Sequence, residues 1–239
     1  MSQVTPFKDS AAGKKQQVEQ MFDQISARYD FMNHFLSMGI DKLWRKKAIQ
    51  IIATTKPKRI LDVATGTGDF AIQALASGAE EIVGVDISEG MLAVGQEKVK
   101  PYGGKIRLMR GDSENLQFED NSFDAIIVAF GVRNFENLQK GLKEMLRVLK
   151  PGGMLLVLEF SKPQQFPVKQ FFGFYFRYIT PFWGRLLAKH QTAYTYLPES
   201  VQAFPEGGAF LTELTKAGYK QTTCRPLTFG ISSIYTGKK

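Results

Sequence analysis

Apolar positions divide the chain into three regions. Val18, Met21, Phe22, Ile25 and Tyr29 recur at helical spacing, and Ile40, Leu43, Trp44, Ala48 and Ile51 do so again. A polar and aromatic stretch, Arg28-Tyr29-Asp30-Phe31-Met32-Asn33-His34, lies between these two predicted helices. In the middle region, short apolar runs at 59–63, 81–86, 106–110, 125–130 and 154–160 predict strands. Helices are predicted between them at 70–76, 89–99 and 138–149. The last carries Leu138, Leu142, Met145, Leu146 and Leu149 on one face and stops at Pro151-Gly152-Gly153. The third region opens with an irregular insertion at 162–200. A short helix at 210–217 and two β-rich segments, 219–224 and 228–235, follow; the two are close enough to pair antiparallel.

Strand–helix alternation of this kind implies a mostly parallel sheet with helices on both faces. The length, 239 residues, suits one α/β domain. Its expected parts are an N-terminal helical cap (1–56), a core (57–161), an insertion (162–204) and a C-terminal helix with strands (205–239). Hydrophobic residues make up 44% of the chain, which argues against global disorder. Cys224 is the single cysteine, so no internal disulfide and no Cys-based zinc site can form, and a cytoplasmic, reducing setting is expected. No metal site is expected. Neither a signal peptide nor a run of ~20 apolar residues is seen, which predicts a soluble or peripheral protein. The net charge of +8 is compatible with nucleic acid, an anionic membrane surface or an acidic ligand.

The chemistry concentrates at Ile60-Leu61-Asp62-Val63-Ala64-Thr65-Gly66-Thr67-Gly68-Asp69, where the first strand turns into a helix. Gly66 and Gly68 let a ligand approach the backbone closely, and the helix N-terminus favours polar groups. Gly66, Gly68 and Ala71 also satisfy the looser dinucleotide pattern G-x-G-x-x-A, so a nicotinamide enzyme is an alternative. Asp86, ending the second strand, can accept from a ribose diol in either class. Asp62 and Asp69 discriminate: beside the glycines they suit a sulfonium amino acid with a free ammonium, whereas they would repel a pyrophosphate. Gly111-Asp112-Ser113 follows the third strand and could read an adenine ring.

Together these positions resemble the class I methyltransferases over residues 58–160 and the two C-terminal strands. The resemblance implies a Rossmann-like, seven-stranded sheet with an antiparallel last strand. It implies S-adenosylmethionine as cofactor, held by Thr67, Asp86, Asp112, Ser113 and the backbone around Ala129.

The acceptor is approached first through absences. After the fourth strand the chain reads Ala129-Phe130-Gly131-Val132-Arg133-Asn134, without the Asn/Asp-Pro-Pro-Tyr/Phe of many amino-methyltransferases. It has no second cysteine for cytosine methylation and no appended RNA-binding module, so nucleic acid is not expected as a partner. The insertion holds Phe171, Phe172, Phe174, Tyr175, Phe176, Tyr178, Phe182 and Trp183, with Lys169, Arg177, Arg185 and Lys189 interleaved. Besides an ordinary lid core, this suits an apolar cover for a greasy substrate at an anionic lipid surface.

Two stretches carry a closer resemblance. They are Tyr29-Asp30-Phe31-Met32-Asn33-His34-Phe35-Leu36-Ser37 with Trp44, and Arg147-Val148-Leu149-Lys150-Pro151-Gly152-Gly153 continuing to Glu159-Phe160-Ser161. With Phe130-Gly131-Val132-Arg133-Asn134 and Tyr194-Thr195-Tyr196-Leu197-Pro198-Glu199-Ser200, the chain resembles the C-methyltransferases of menaquinone and ubiquinone biosynthesis from about Val18 to Tyr235. One departure stands out: Asp41 stands where the family signature usually has a histidine, which puts any role of that histidine in doubt and suggests a helix cap. The resemblance implies C-methylation of a polyprenylated demethylquinol. Overall similarity favours demethylmenaquinol over the ubiquinone precursor. Peripheral contact with the inner face of the membrane is expected from the aromatic and basic insertion, and a homodimer stays open. In that reading Arg133 stabilises the quinolate or polarises a water, and Asn134 orients the ring oxygens. Tyr29, Asp30 and Asn33 come from the N-terminal cap. The base stays open among His34, Asp30 and Tyr29, with His190 the other histidine. Competing expectations are another lipophilic acceptor, a dehydrogenase and a non-catalytic cofactor-binding partner.

Overall fold

The computed structural model describes residues 4–179 and 192–239. Two helices lead, α1 (Lys14–Leu36) and α2 (Ile40–Ala53). The alternating region follows as β1 (Arg59–Val63), α3 (Asp69–Ala74), β2 (Glu81–Asp86), α4 (Glu89–Val99), β3 (Ile106–Arg110), β4 (Phe123–Ala129), α5 (Leu138–Val148) and β5 (Leu149–Phe160). Then come α6 (Val168–Phe174), α7 (Thr192–Ala203), α8 (Gly208–Ala217), β6 (Lys220–Leu227) and β7 (Ser232–Lys238).

The strands form one seven-stranded sheet in the order β3-β2-β1-β4-β5-β7-β6. Strands β1 to β5 pair in parallel, and β7 runs antiparallel to both β5 and β6. This is the expected mostly parallel sheet with its last strand reversed. Alternate residues of each central strand face opposite cores. Ile60, Ile82, Ile127 and Leu156 pack with Ile52 and Phe70 from α2 and α3. Leu61, Val83, Ile126 and Val157 pack with Leu142 and Phe210 from α5 and α8. Burial on both faces is why these strands read as continuous apolar runs.

Four expectations change. The stretch from Arg28 to His34 does not separate two helices but continues α1 to Leu36. The break comes later, at Met38 and Gly39, both with positive φ. Leu43, grouped with the core face of α2, is 65% exposed, while Asp41 and Arg45 are buried instead. The irregular insertion contains α6 and α7. The final strand begins at Ser232 rather than at 228, because Thr228, Phe229 and Gly230 turn with positive φ, leaving Phe229 exposed at the tip.

Helix α1 crosses the carboxyl end of the sheet and is fastened by polar and apolar contacts. Asp23 accepts from the Ser88 hydroxyl (2.6 Å) and the Gly90 N–H (2.9 Å) at the start of α4. Glu19 pairs with Arg110 at 2.8 Å. Lys14 donates to the carbonyls of Arg133 (3.0 Å) and Phe135 (2.9 Å). Its apolar support comes from Val18, Met21 and Met32, which pack with Ala193 and Tyr196 of α7, and from Phe22 and Ile25, which pack against that cluster with Ile87.

Candidate functional site

The strand order reverses direction between β1 and β4, and ligands of open α/β sheets bind at the carboxyl side of such a switch. Here both strands end in a strained residue: Ala64 (φ 55°) and Phe130 (φ 58°). Gly131 lies where a Cβ would come 2.6 Å from that of Ala64, so only glycine lets the two turns meet. Above them is a narrow cavity of about 70 Å³. Its walls include Ala64, Gly66, Asp86, Asp112, Ser113, Ala129 and Asn134.

The polar groups of this cavity fit S-adenosylmethionine. Asp86 closes the end of β2, its Oδ2 accepting from the Gly66 N–H (2.8 Å) and its Oδ1 from the Ser88 N–H (2.9 Å). These bonds anchor a carboxylate at the position where a ribose diol can donate to it. Asp112 and Ser113 line the next stretch, where Asp112 currently holds the Lys15 ammonium at 2.7 Å. Asn134 Oδ1 is buried and has no hydrogen-bond partner among the described residues, so it offers an acceptor to an ammonium.

Other sequence-predicted groups stand back from this cavity. Asp62 is buried beneath the glycine turn, where its Oδ2 accepts from the Thr65 hydroxyl at 2.6 Å. Thr67, expected to touch the cofactor, donates instead to Asp30 at 2.5 Å. Gly68 starts α3 with φ 80° and packs toward Leu108. Asp69 is drawn to the opposite side, within 2.5 Å of Lys98 and 3.3 Å of His34 Nε2. Asp30 also pairs with Lys98 (2.6 Å). Asp30 thus braces the glycine turn and lines neither cavity.

Burial pushes the Asp62 carboxyl up to about 7, despite the Thr65 hydroxyl, the Arg45 charge and the Ala71 N–H, which favour ionisation. Its folded pKa lies above the unfolded value, so the native state binds the proton more tightly and loses stability as pH rises from about 4 to 7. Asp62→Asn stays neutral throughout. Its stability advantage over the parent is therefore expected to widen by roughly 2 kcal/mol between pH 5 and pH 8. Denaturant titrations of both proteins without cofactor measure this, and a gap constant with pH would refute the assignment.

A second cavity of about 390 Å³ adjoins the first and is almost wholly apolar. Phe22, Tyr29 and Phe130 line both, forming a common partition. Aromatic residues of the insertion, including Phe171, Phe172 and Tyr175, close one side. Phe182 and Trp183 lie outside the described residues. Few residues of this cavity carry polar groups: Tyr29, Asn33, Ser37, Trp44, Arg133, Tyr175 and Tyr196. Burial pushes the Tyr29 hydroxyl up, although the charges of Arg133 and Arg45 oppose it.

Arg133 follows Phe130 in a short turn and reaches back into the sheet. Its Nη1 donates to the Phe130 carbonyl and pairs at 2.8 Å with Glu159, a fully buried carboxylate on β5. Burial raises the pKa of Glu159 even though Arg133 favours its ionised form. Phe160 packs beneath Phe130 (centroids 4.5 Å apart) and under the guanidinium (5.6 Å). Arg133 faces the apolar cavity, whereas Asn134, one residue on, faces the cofactor cavity. Asn134, expected to orient the acceptor oxygens, thus lines the polar cavity and not the apolar one.

Asp41 is not a helix cap. The residue before α2 is Gly39, which makes no side-chain cap bond, and Asp41 is a buried hub. It accepts from His34 Nδ1 (2.9 Å), Ser37 Oγ (2.6 Å) and Arg45 Nη1 (2.5 Å). Burial alone would raise its pKa, but the Ser37 hydroxyl, Arg45 and His34 outweigh it and hold the carboxyl below its usual range. His34 is clamped between Asp41 and Asp69 and lines neither cavity, which removes it from reach of an acceptor. His190 lies outside the described residues. The site residues that sequence reasoning left without roles are Glu159 and Tyr196. Both sat inside quoted family stretches, and the signal available was an acid in the apolar run Leu155-Leu156-Val157-Leu158-Glu159.

Comparison with known proteins gives a consistent picture. The model of the ubiE/COQ5 methyltransferase family matches residues 10–239. The demethylmenaquinone methyltransferase of Bacteroides fragilis is 50% identical over 239 residues, covering 99% of this chain and 97% of that protein. The ubiquinone/menaquinone biosynthesis C-methyltransferase of Geobacter sulfurreducens is 44% identical, covering 95% and 90%. Among solved structures, an S-adenosylmethionine-dependent methyltransferase of Thermotoga maritima, described as a possible histamine N-methyltransferase, aligns with a TM-score of 0.64. It is 20% identical and covers 92% of this chain and 99% of that one, a likeness that speaks for the fold alone.

Proposed function

Since the chain belongs to the ubiE/COQ5 methyltransferase family and is an S-adenosylmethionine-dependent methyltransferase, we propose that it methylates a ring carbon of demethylmenaquinol to give menaquinol. The observation that carries this reading is the partition of Phe22, Tyr29 and Phe130. It sets a polar cavity suited to the cofactor directly against an apolar one suited to a prenylated ring. Bound in the polar cavity, S-adenosylmethionine supplies an electrophilic methyl carbon. The residues of this chain supply alignment and exclusion of water, so that a ring carbon would meet that methyl where the two cavities adjoin. Carbon becomes nucleophilic when a ring hydroxyl loses its proton. The Arg133 guanidinium, buried and fixed by Glu159, stabilises the resulting oxyanion in a dry pocket. Asn134 and Asp86 hold the cofactor, and Asp30 braces Thr67 and thereby the glycine turn.

The acceptor is a lipid, and the mouth of the apolar cavity suits a bilayer surface. Met38, Phe171 and Phe174 line that cavity, yet all three are more than half exposed. No helix among the described residues is long and apolar enough to cross a membrane. The reading is therefore of peripheral contact that draws the quinol from the bilayer. The test uses purified protein, methyl-labelled S-adenosylmethionine and chemically reduced demethylmenaquinone in anionic phospholipid vesicles. Labelled menaquinone is expected, with the protein sedimenting with the vesicles. Intact cofactor binding without methylated quinone would overturn the substrate assignment. Turnover with the protein left in the supernatant would overturn the membrane contact.

A further inference from the structure

Tyr196 presents a buried hydroxyl to the apolar cavity, and no group among the described residues bonds to it. Leaving such a group unsatisfied costs roughly 1–3 kcal/mol, so an unpaired hydroxyl in a cavity points to a ligand that pairs it. Its ring is held in place: Tyr196 is 3% exposed and packs with Met21 and Met32 of α1 and with Ala193 of its own helix. The hydroxyl lies within the fields of both Arg133 and Glu159 but is bonded to neither. Arg133 has an orphan of its own, since its Nε is buried without a partner while Nη1 serves Glu159 and the Phe130 carbonyl. Two unpaired donors, one neutral and one cationic, thus line the same dry cavity, with the Asn33 Nδ2 amide as a third.

We propose that Tyr196 and Arg133 form a two-donor cradle for one ring oxygen of the acceptor, and that Tyr196 is the neutral arm that favours the ionised over the neutral hydroxyl. This inference rests on the quinol reading of the cavity. An oxygen between the two donors satisfies both, and a carbon or hydrogen at that place satisfies neither. Burial pushes the Tyr196 hydroxyl up to about 12, so it keeps its proton and donates while the acceptor gives one up. Charge-assisted bonds of this kind are roughly twice as strong as neutral ones. The cradle also explains why α7 follows the aromatic insertion: the element that brings the apolar cover brings the polar reader with it.

The variant Tyr196→Phe tests this in the full-length protein at saturating S-adenosylmethionine, with reduced demethylmenaquinone of short prenyl length in detergent micelles. The phenylalanine ring fills the same space and removes an orphan hydroxyl, so the melting temperature is expected to hold or rise. The ratio kcat/KM is expected to fall about 10–100-fold, the worth of one hydrogen bond to a charged partner. The acidic limb of its pH profile should move to higher pH. A role in packing alone would not move that limb. In parallel, 1-naphthol is bound to each protein, and its ionisation is followed by absorbance. The parent should lower its apparent pKa more than the variant does. If the parent turns over no demethylmenaquinol while the naphthol shift persists, the quinol reading fails and the cradle stands. An unmoved naphthol shift, or kcat/KM within twofold of the parent with the acidic limb in place, overturns the cradle. A melting temperature several degrees lower also overturns it, since the hydroxyl would then have a structural partner.

Discussion

Arg133→Ala is expected to lower kcat by about 10²–10³ and, at the same time, to destabilise the fold by about 3–5 kcal/mol. The two effects have separate origins. Catalytic loss follows from removing the cation that faces the acceptor oxygen in the apolar cavity. Destabilisation follows from Glu159, which is fully buried on β5 and would lose its ion-pair partner. The double variant Arg133→Ala/Glu159→Gln separates them, because a neutral amide no longer needs a counter-charge. Thermal melts should show stability largely restored in the double variant, while labelled-methyl assays show turnover still absent. Turnover returning with stability would mean that Arg133 serves only to neutralise Glu159, and the assignment of Arg133 to the acceptor oxygen would fall.

Asp86→Asn should weaken S-adenosylmethionine binding by about 10–100-fold while leaving kcat at saturating cofactor nearly unchanged. The carboxylate already accepts from the N–H groups of Gly66 and Ser88 and can accept from a ribose diol as well. An amide has one acceptor oxygen and turns an NH₂ group toward one of those backbone donors. The loss therefore falls on cofactor binding, through the ribose and through the glycine turn that Asp86 anchors. Burial raises the pKa of Asp86, and the Ser88, Gly66 and Ile87 N–H groups offset this by favouring the ionised form. Calorimetric titration gives the affinity, and melting without cofactor reports the turn. An unchanged dissociation constant would remove Asp86 from the cofactor site.

The sheet was legible in the sequence because both of its faces are buried. Strands β1, β2 and β3 begin and end where the apolar runs do. The N-terminal helices were less legible, since their hydrophobic pattern describes only half of what they bury. Asp41 and Arg45 lie inside because they pair with each other, and Leu43 lies outside. A periodicity rule based on apolarity assigns those three positions the wrong way round. The same holds at the site. Asp62 and Asp69 were singled out as acids needing a reason; in the fold Asp62 meets the nearby Thr65 hydroxyl, whereas Asp69 meets Lys98 and His34, distant in sequence. Residues that act through long-range pairing, such as Glu159 with Arg133 or Asp30 with Thr67, leave no local spacing to read. Tyr196 was hidden for a related reason, since what marks it is the absence of a partner in space.

The fastening of α1 has a consequence for how the molecule answers its surroundings. Glu19, Asp23, Asp30 and Lys15 hold it to the body largely by charge and hydrogen bonds at or near solvent. Such contacts weaken as ionic strength rises and the screening length falls to about 3 Å at 1 M salt. The sheet beneath is held by apolar burial, on which screening of charge has little purchase. Cover and body thus respond to different solvent variables, salt for the one and denaturant for the other. Helix α1, which lines both cavities through Phe22 and Tyr29, belongs to the part of the fold that ions can reach.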